Sequence, residues 1–262
     1  MADANHKNDD RYDSLLSGPL VEPTPRWVRV KFGGNIIADS RRALLLRQYG
    51  PGRLPTYFFP LQDVQQEALT PGSPPEPDGE VVFWSVQAGG EEAQNAAWAY
   101  RDPAGPLADL RDHISFSWRK MDAWYEEDEQ VFVHARDPYK RVDVMASSRR
   151  VRIEVEGQII AESSRPFLLF ETHLPTRYYL PQEDVRMDLL KPSDLVTRCP
   201  YKGSAVYWNL KLGDRAWPNI VWSYPEPIPE NPKIRKLMCF FNEQIDLYVD
   251  GELQERPLTP WS

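Results

Sequence analysis

A thiol, a phenol and an amine stand almost side by side in Cys199-Pro200-Tyr201-Lys202-Gly203. Cys199 becomes a nucleophile if the Lys202 ammonium or the Arg198 guanidinium favours its thiolate. Lys202 can hold an anion, or form a Schiff base if burial keeps its amine neutral. Tyr201 offers a hydrogen bond, and Pro200 and Gly203 would fix the turn. Cys199, Lys202 and Tyr201 are therefore the candidate catalytic residues. The plainer alternative is a structural turn, with Cys199 buried as a small hydrophobe and Lys202 paired to a carboxylate.

A second group is aromatic. Tyr207, Trp208, Trp222 and Tyr224 fall on two neighbouring strand-like segments, with Tyr178 and Tyr179 on a third. Successive side chains of a strand point to opposite faces. Tyr207 and Trp208 therefore part, as do Tyr178 and Tyr179, while Trp222 and Tyr224 share a face. An apolar pocket with a few polar tips is the usual form of a small-molecule site, which makes Tyr179, Tyr207, Trp208, Trp222 and Tyr224 candidate ligand contacts. Each is also a candidate for ordinary core, since aromatics dominate small β cores. Arg165, which follows Glu162 and Ser163, is a further candidate. It either orients a ligand carboxylate or phosphate, or closes a strand end with a salt bridge. Asp63 and Asp184, each shortly after a proline, read as helix N-caps.

Catalytic signatures of fixed spacing are absent: the chain holds no GxSxG, Walker loop, HExxH or GxGxxG. Its four histidines (His6, His113, His134, His173) are scattered and no CxxC pair exists, so no metal site is expected. Which cofactor would be used, if any, stays open. A net charge of −8 argues against nucleic acid as a partner. No apolar run approaches the ~18–20 residues that span a bilayer, so no membrane partner is expected. The polar opening MADANHKNDDRYD has no secretion-signal core. Two cysteines, Cys199 and Cys239, are too few for a disulfide scaffold, and a reducing compartment argues against a bridge between them. The chain reads as soluble and cytoplasmic.

The elements that must position these residues come in two sets. VRVKFGGNIIADSRR, from Val28, returns as VRIEVEGQIIAESSR from Val151. FFPLQDV from Phe58 is echoed by YLPQEDV from Tyr179. Phe83-Trp84 answers Tyr207-Trp208, Trp98-Ala99-Tyr100 answers Trp222-Ser223-Tyr224, and Met121 to Trp124 answers Ile245 to Tyr248. A repeat fixes architecture before any element is assigned. The expected organisation is a mobile leader over 1–25, a first repeat domain over 26–134, a connector over 135–149 and a second repeat domain over 150–262. The duplication also supplies an internal comparison. Where the second copy has Cys-Pro-Tyr-Lys-Gly, the first has PGSPPEPDGE, from Pro71 to Glu80.

Within each copy the periodicity is that of strands. Val28, Val30 and Phe32 alternate with Arg29 and Lys31, and a Gly-Gly-Asn turn then starts a return strand at Ile36, which is a hairpin. Val151, Ile153 and Val155 repeat the pattern. Ala43 to Leu46, Tyr57 to Phe59, Phe167 to Phe170 and Tyr178 to Leu180 read as further strands. Short helical turns are expected over Asp63 to Leu69, Leu107 to His113, Asp184 to Leu190 and Pro232 to Leu237. Twenty-five prolines in 262 residues are roughly twice the usual ~5% share and disfavour long helices. The fold class is mostly β, and the absence of βαβ alternation rules against a parallel α/β sheet.

The strings VRVxFGGxxIADSRRALLL, YFFPxxDV, CPYKGxAxYW and AWxYxxP resemble the domain of unknown function 427 family. With the connector RDPYKRVDV, the chain resembles the duplicated bacterial form of that family. The resemblance implies a fold: two tandem β-tent-like domains of short coiled antiparallel sheets, with one or two short helices each. It implies no activity.

Three functions compete on the residues alone. The second domain binds a small organic or anionic molecule in an aromatic-lined pocket, with Lys202 as counter-charge. Alternatively it is an enzyme that uses Cys199 or Lys202 in the same pocket. In the third reading the aromatic faces form interfaces, between domains or in a homo-oligomer.

Overall fold

The computed structural model describes residues 18–50, 53–73 and 79–259. The chain divides after Asp137 into two compact units. The first carries eleven strands among the described residues: β1 (Leu20–Pro23), β2 (Val28–Phe32), β3 (Asn35–Ser40), β4 (Leu44–Arg47), β5 (Thr56–Pro60), β6 (Leu69–Pro71), β7 (Val81–Ala88), β8 (Glu91–Tyr100), β9 (His113–Phe116), β10 (Ala123–Glu126) and β11 (Glu129–Val131). The second repeats them: β12 (Val142–Ala146), β13 (Val151–Val155), β14 (Gln158–Ser163), β15 (Phe167–Glu171), β16 (Arg177–Leu180), β17 (Leu190–Cys199), β18 (Gly203–Leu212), β19 (Arg215–Ser223), β20 (Met238–Phe240), β21 (Asp246–Val249) and β22 (Glu252–Leu253).

Each unit is a pair of antiparallel sheets. A seven-stranded sheet runs β1-β4-β5-β9-β8-β7-β6 in the first and β12-β15-β16-β20-β19-β18-β17 in the second. A four-stranded sheet runs β11-β10-β2-β3 in the first and β14-β13-β21-β22 in the second. Among the described residues, helix is limited to short 3₁₀ turns. The two orders match strand for strand, which is the tandem β-tent arrangement.

Two expected boundaries move. Leu20–Pro23 was expected in a mobile leader, but it pairs with Leu44–Arg47 as the edge of the first sheet. Val142–Ala146 was expected in the connector, and it pairs with Phe167–Glu171 in the same place in the second sheet. Both segments are too short to carry a readable period, and the partner strand supplies their order. Residues 1–17 of the expected leader lie outside the described residues.

Alternation builds the cores. In β2 and β13 the residues at odd places are buried and those between are half-exposed, as the sequence pattern predicts. Val30, Ile37, Phe59, Phe116 and Trp124 pack between the sheets of the first domain. Ile153, Ile160, Leu180, Ile220 and Phe240 do so in the second. Each fully buried side chain of this size contributes roughly 1.5–3 kcal/mol. The β2–β3 hairpin turns through Gly33 at φ +54° and Gly34 at φ +78°. A Cβ on Gly33 would stand 2.0 Å from the Ala88 carbonyl oxygen, so the approach of the β7–β8 turn demands glycine there. In the second domain Glu156 takes that left-handed position, and Arg215 from the facing turn pairs with its carboxylate.

Each seven-stranded sheet also has a second face, turned away from the four-stranded sheet. In the first domain it holds an apolar cluster around Leu46, Phe58 and Leu110, joined by Trp98 and Tyr100. In the second it holds Val144, Leu169, Tyr179, Ala205, Trp222, Tyr224 and Cys239, with Tyr207 packed against them. The candidate site lies on this second face.

Candidate functional site

Cys199 ends β17 and Gly203 opens β18, and the two are paired across the turn. The Lys202 amide donates to the Cys199 carbonyl at 3.4 Å, and the Lys202 carbonyl accepts from Ile228 at 3.1 Å. Asn231, itself buried, donates from Nδ2 to the Tyr201 carbonyl at 2.7 Å. Gly203 has φ +104°, and a Cβ there would sit 3.2 Å from the Glu226 carbonyl oxygen. Glycine is therefore needed to seat this turn against residues 226–228.

The turn projects Lys202 onto Glu171, at the end of β15, where the two charges pair. Lys140 Nζ reaches the other oxygen, Glu171 Oε1, at 3.1 Å. The Lys202 side chain is 12% exposed and that of Glu171 6%. Burial works to raise the Glu171 pKa, but Lys202 and Lys140 outweigh it and hold the carboxyl below its usual range. Burial likewise works to lower Lys202, and Cys199 and Glu171 outweigh it, so the ammonium is held above its ordinary value. Beside this triad, Arg177 makes a bidentate pair with Glu243 at 2.7 and 2.8 Å. Thr259 donates to the same carboxylate at 2.6 Å, and the guanidinium lies 5.5 Å from the Trp222 ring centroid.

The tyrosines differ in what they bond. Trp222 Nε1 donates to the Tyr179 hydroxyl at 3.2 Å. The Tyr207 hydroxyl and Thr197 Oγ1 share a hydrogen bond of 2.8 Å. The Tyr224 hydroxyl has no hydrogen-bond partner among the described residues, although Tyr224 is only 5% exposed. Burial, first of all, pushes all three phenols above their ordinary value and keeps them protonated. The two thiols differ as well. Cys199 is half-buried, whereas Cys239 is fully buried and its thiol is pushed up to about 12 by that burial.

The family model for Domain of unknown function (DUF427) matches residues 20–127 and again 143–251. The chain belongs to that family. No curated protein matches it. The two DUF427 copies can therefore be compared position by position, through the strand register. Phe58 and Tyr179 pair with equivalent residues of β4 and β15, and Trp98 and Trp222 with equivalent residues of β9 and β20. On that register Glu171 stands where the first copy has Gln48, Arg177 where it has Thr56, and Tyr179 where it has Phe58. Tyr207 stands for Phe83 and Cys239 for Ser115. The first copy fills the face with rings: Phe58 lies edge-on to Trp98 at 4.9 Å and stacked on Tyr100 at 6.0 Å. Thr56 is satisfied there by Ser115 at 3.2 Å and by the Trp118 indole at 3.0 Å.

Of the residues expected from sequence, Cys199, Lys202, Tyr179, Tyr207, Trp222 and Tyr224 share this face of the second DUF427 domain. Trp208 does not; it packs into the core between the sheets, because alternation along β18 sends it opposite to Tyr207. Tyr178 goes the same way. Arg165 is also elsewhere. It pairs with Asp184 at 3.0 Å, and Asp184 accepts from Ser163 at 2.7 Å. The first copy has the same arrangement in Arg42, Asp63 and Ser40, with distances of 2.7 Å. Arg165 is thus a structural clasp common to both copies. The same contacts correct the N-cap reading of the two aspartates: Asp63 and Asp184 are the last residues of their turns, and prolines 60 and 181 occupy the caps. Tyr201 is buried, with the Lys140 ammonium 5.5 Å from its ring centroid, so it packs beside the triad and anchors the turn through its backbone. The sequence reading missed Glu171, Lys140, Arg177 and Glu243. Comparing copies at inward-facing places would have found the first and third, where charge replaces Gln48 and Thr56.

Proposed function

We propose that the second face of the second domain binds a small molecule, which meets the Lys202 ammonium, the Cys199 thiol and the tyrosine hydroxyls. The observation that carries this reading is the contrast between copies. One fold closes this face with Phe58, Phe83, Thr56 and Gln48, and the other with Tyr179, Tyr207, Arg177 and Glu171. Buried charges cost several kcal/mol each to desolvate, and well-packed apolar residues often serve stability as well or better. The first copy shows that the sheet does not need them, so their presence in the second is better accounted for by a ligand. Because Lys202 is held as a cation, it suits an anion or a polarised oxygen. The Schiff-base variant is disfavoured, since an attacking amine must be neutral.

An enzyme reading survives through Cys199 alone, which is half-exposed beside an ammonium. The interface reading is weakened because Trp222 and Tyr224 are already buried within their own domain. Among the described residues no helix is long and apolar enough to cross a membrane. A thermal-shift screen of the full chain against a metabolite library tests the proposal. A ligand that raises Tm in the native protein should lose its effect in Lys202→Met. A hit whose shift is the same in Lys202→Met places the site elsewhere and overturns the assignment.

A further inference from the structure

Two polar groups on this face are without a hydrogen bond among the described residues: the Tyr224 hydroxyl and the Cys199 thiol. The groups around them are engaged. Lys202 is on Glu171, Arg177 on Glu243, Tyr179 on Trp222 and Tyr207 on Thr197. The Tyr224 hydroxyl is not sealed from solvent, and the Cys199 thiol is half-buried, so both are open to a small ligand. Strand register brings the two groups onto one side. Val206 pairs with Ser223, which sets Tyr224 beside Ala205. Ala205 pairs with Thr197, and Gly203 with Cys199, two residues further along each strand. Tyr224 and Cys199 also interact electrostatically, and both do so with Lys202 or Glu171.

We infer that the site captures a small aldehyde reversibly, with Cys199 adding to the carbonyl carbon while the Tyr224 hydroxyl donates to the carbonyl oxygen. This rests on the second face being a small-molecule site. An aldehyde satisfies both idle groups at once: its oxygen is an acceptor for the phenol and its carbon an electrophile for sulfur. In the step the S–C bond forms and the carbonyl π bond breaks. The thiol proton ends on the former carbonyl oxygen, giving a neutral hemithioacetal. Nothing is oxidised and no group leaves. The Lys202 ammonium favours the oxyanion that forms before protonation. Cys239 takes no part, being fully buried.

Acetaldehyde labelled with ¹³C at the carbonyl, titrated into the full chain and followed by NMR, tests this. A saturable tetrahedral-carbon signal distinct from the hydrate is expected in the native protein and in Cys239→Ser. It should vanish in Cys199→Ser and require at least tenfold more aldehyde in Tyr224→Phe. Phenylalanine forfeits no hydrogen bond at position 224, so that variant keeps the fold, checked by circular dichroism. No such signal in the native protein, an imine carbon on lysine instead, or equal affinity in Tyr224→Phe would each overturn the inference. If aldehydes fail while the metabolite screen yields a Lys202-dependent ligand, only this inference falls; if both fail, the small-molecule reading falls too.

Discussion

Lys202 and Glu171 meet although their strands are not neighbours. Lys202 leads into β18 and Glu171 ends β15, and β16, β20 and β19 lie between those two strands. Four strand spacings of a flat sheet are roughly 19 Å, farther than the two side chains span. The sheet must therefore curl, and the ion pair joins its limbs across the concave side.

Removing Glu171 should be costly. Glu171→Ala leaves two buried ammoniums without their shared carboxylate, and breaking such a pair typically costs about 3–5 kcal/mol. Lys202→Met leaves Lys140 on Glu171 and should cost less. Gln48→Ala, at the equivalent place in the first copy, should cost under about 1 kcal/mol. Urea denaturation of the full chain, followed by tryptophan fluorescence, ranks the three.

The same carboxylate gives the second domain a pH dependence with a fixed sign. Glu171 binds its proton more weakly folded than unfolded. Its contribution is thus fully present above the unfolded carboxylate range, near pH ~4.3, and is lost as pH falls through the folded value. Glu243 acts in the same direction. The Tm difference between the native chain and Glu171→Gln should hold from neutrality down to that range and then shrink. A difference that grows on acidification would contradict the sign.

Cysteine labelling separates the two thiols. Iodoacetamide should modify Cys199 in the folded chain and leave Cys239 unmodified until denaturant is added, because burial pushes the Cys239 thiol up to about 12 and shields it. Peptide mass spectrometry reads both sites in one sample. Equal labelling of the two under native conditions would mean that this face opens far more readily than its packing implies.

Two tyrosine-to-phenylalanine changes should differ in stability. Tyr179→Phe strands the buried Trp222 indole N–H and should cost roughly 1–3 kcal/mol. Tyr224→Phe loses no bond and should stay within about 0.5 kcal/mol of the native chain. Thermal unfolding of the two variants side by side decides it.

Much of the fold was legible because it is written twice and in short alternating strands. The β2–β3 and β13–β14 hairpins, the proline-ended strands and the opposite facing of Tyr207 and Trp208 all follow from a period of two. Which of that pair faced the charged side did not follow, because local alternation carries no information about which face is the core. Leu20–Pro23 and Val142–Ala146 were hidden because four or five residues with a proline or an exposed methionine show no period. Glu171 and Arg177 were hidden for a different reason. Their importance depends on the curl of the sheet, a long-range property, and only the chemical contrast with Gln48 and Thr56 records it in the sequence. Of the two readings of Arg165, ligand contact or strand-end salt bridge, the salt bridge is the one its twin Arg42 also makes.

The Lys202–Glu171 pair across the concave face ties the proposed recognition to mechanics. A ligand that draws Lys202 away from Glu171 also releases the tie between the limbs of the sheet. Affinity and curvature are then a single linked equilibrium: whatever stiffens the curl resists the ligand, and a bound ligand softens the curl by the same free energy.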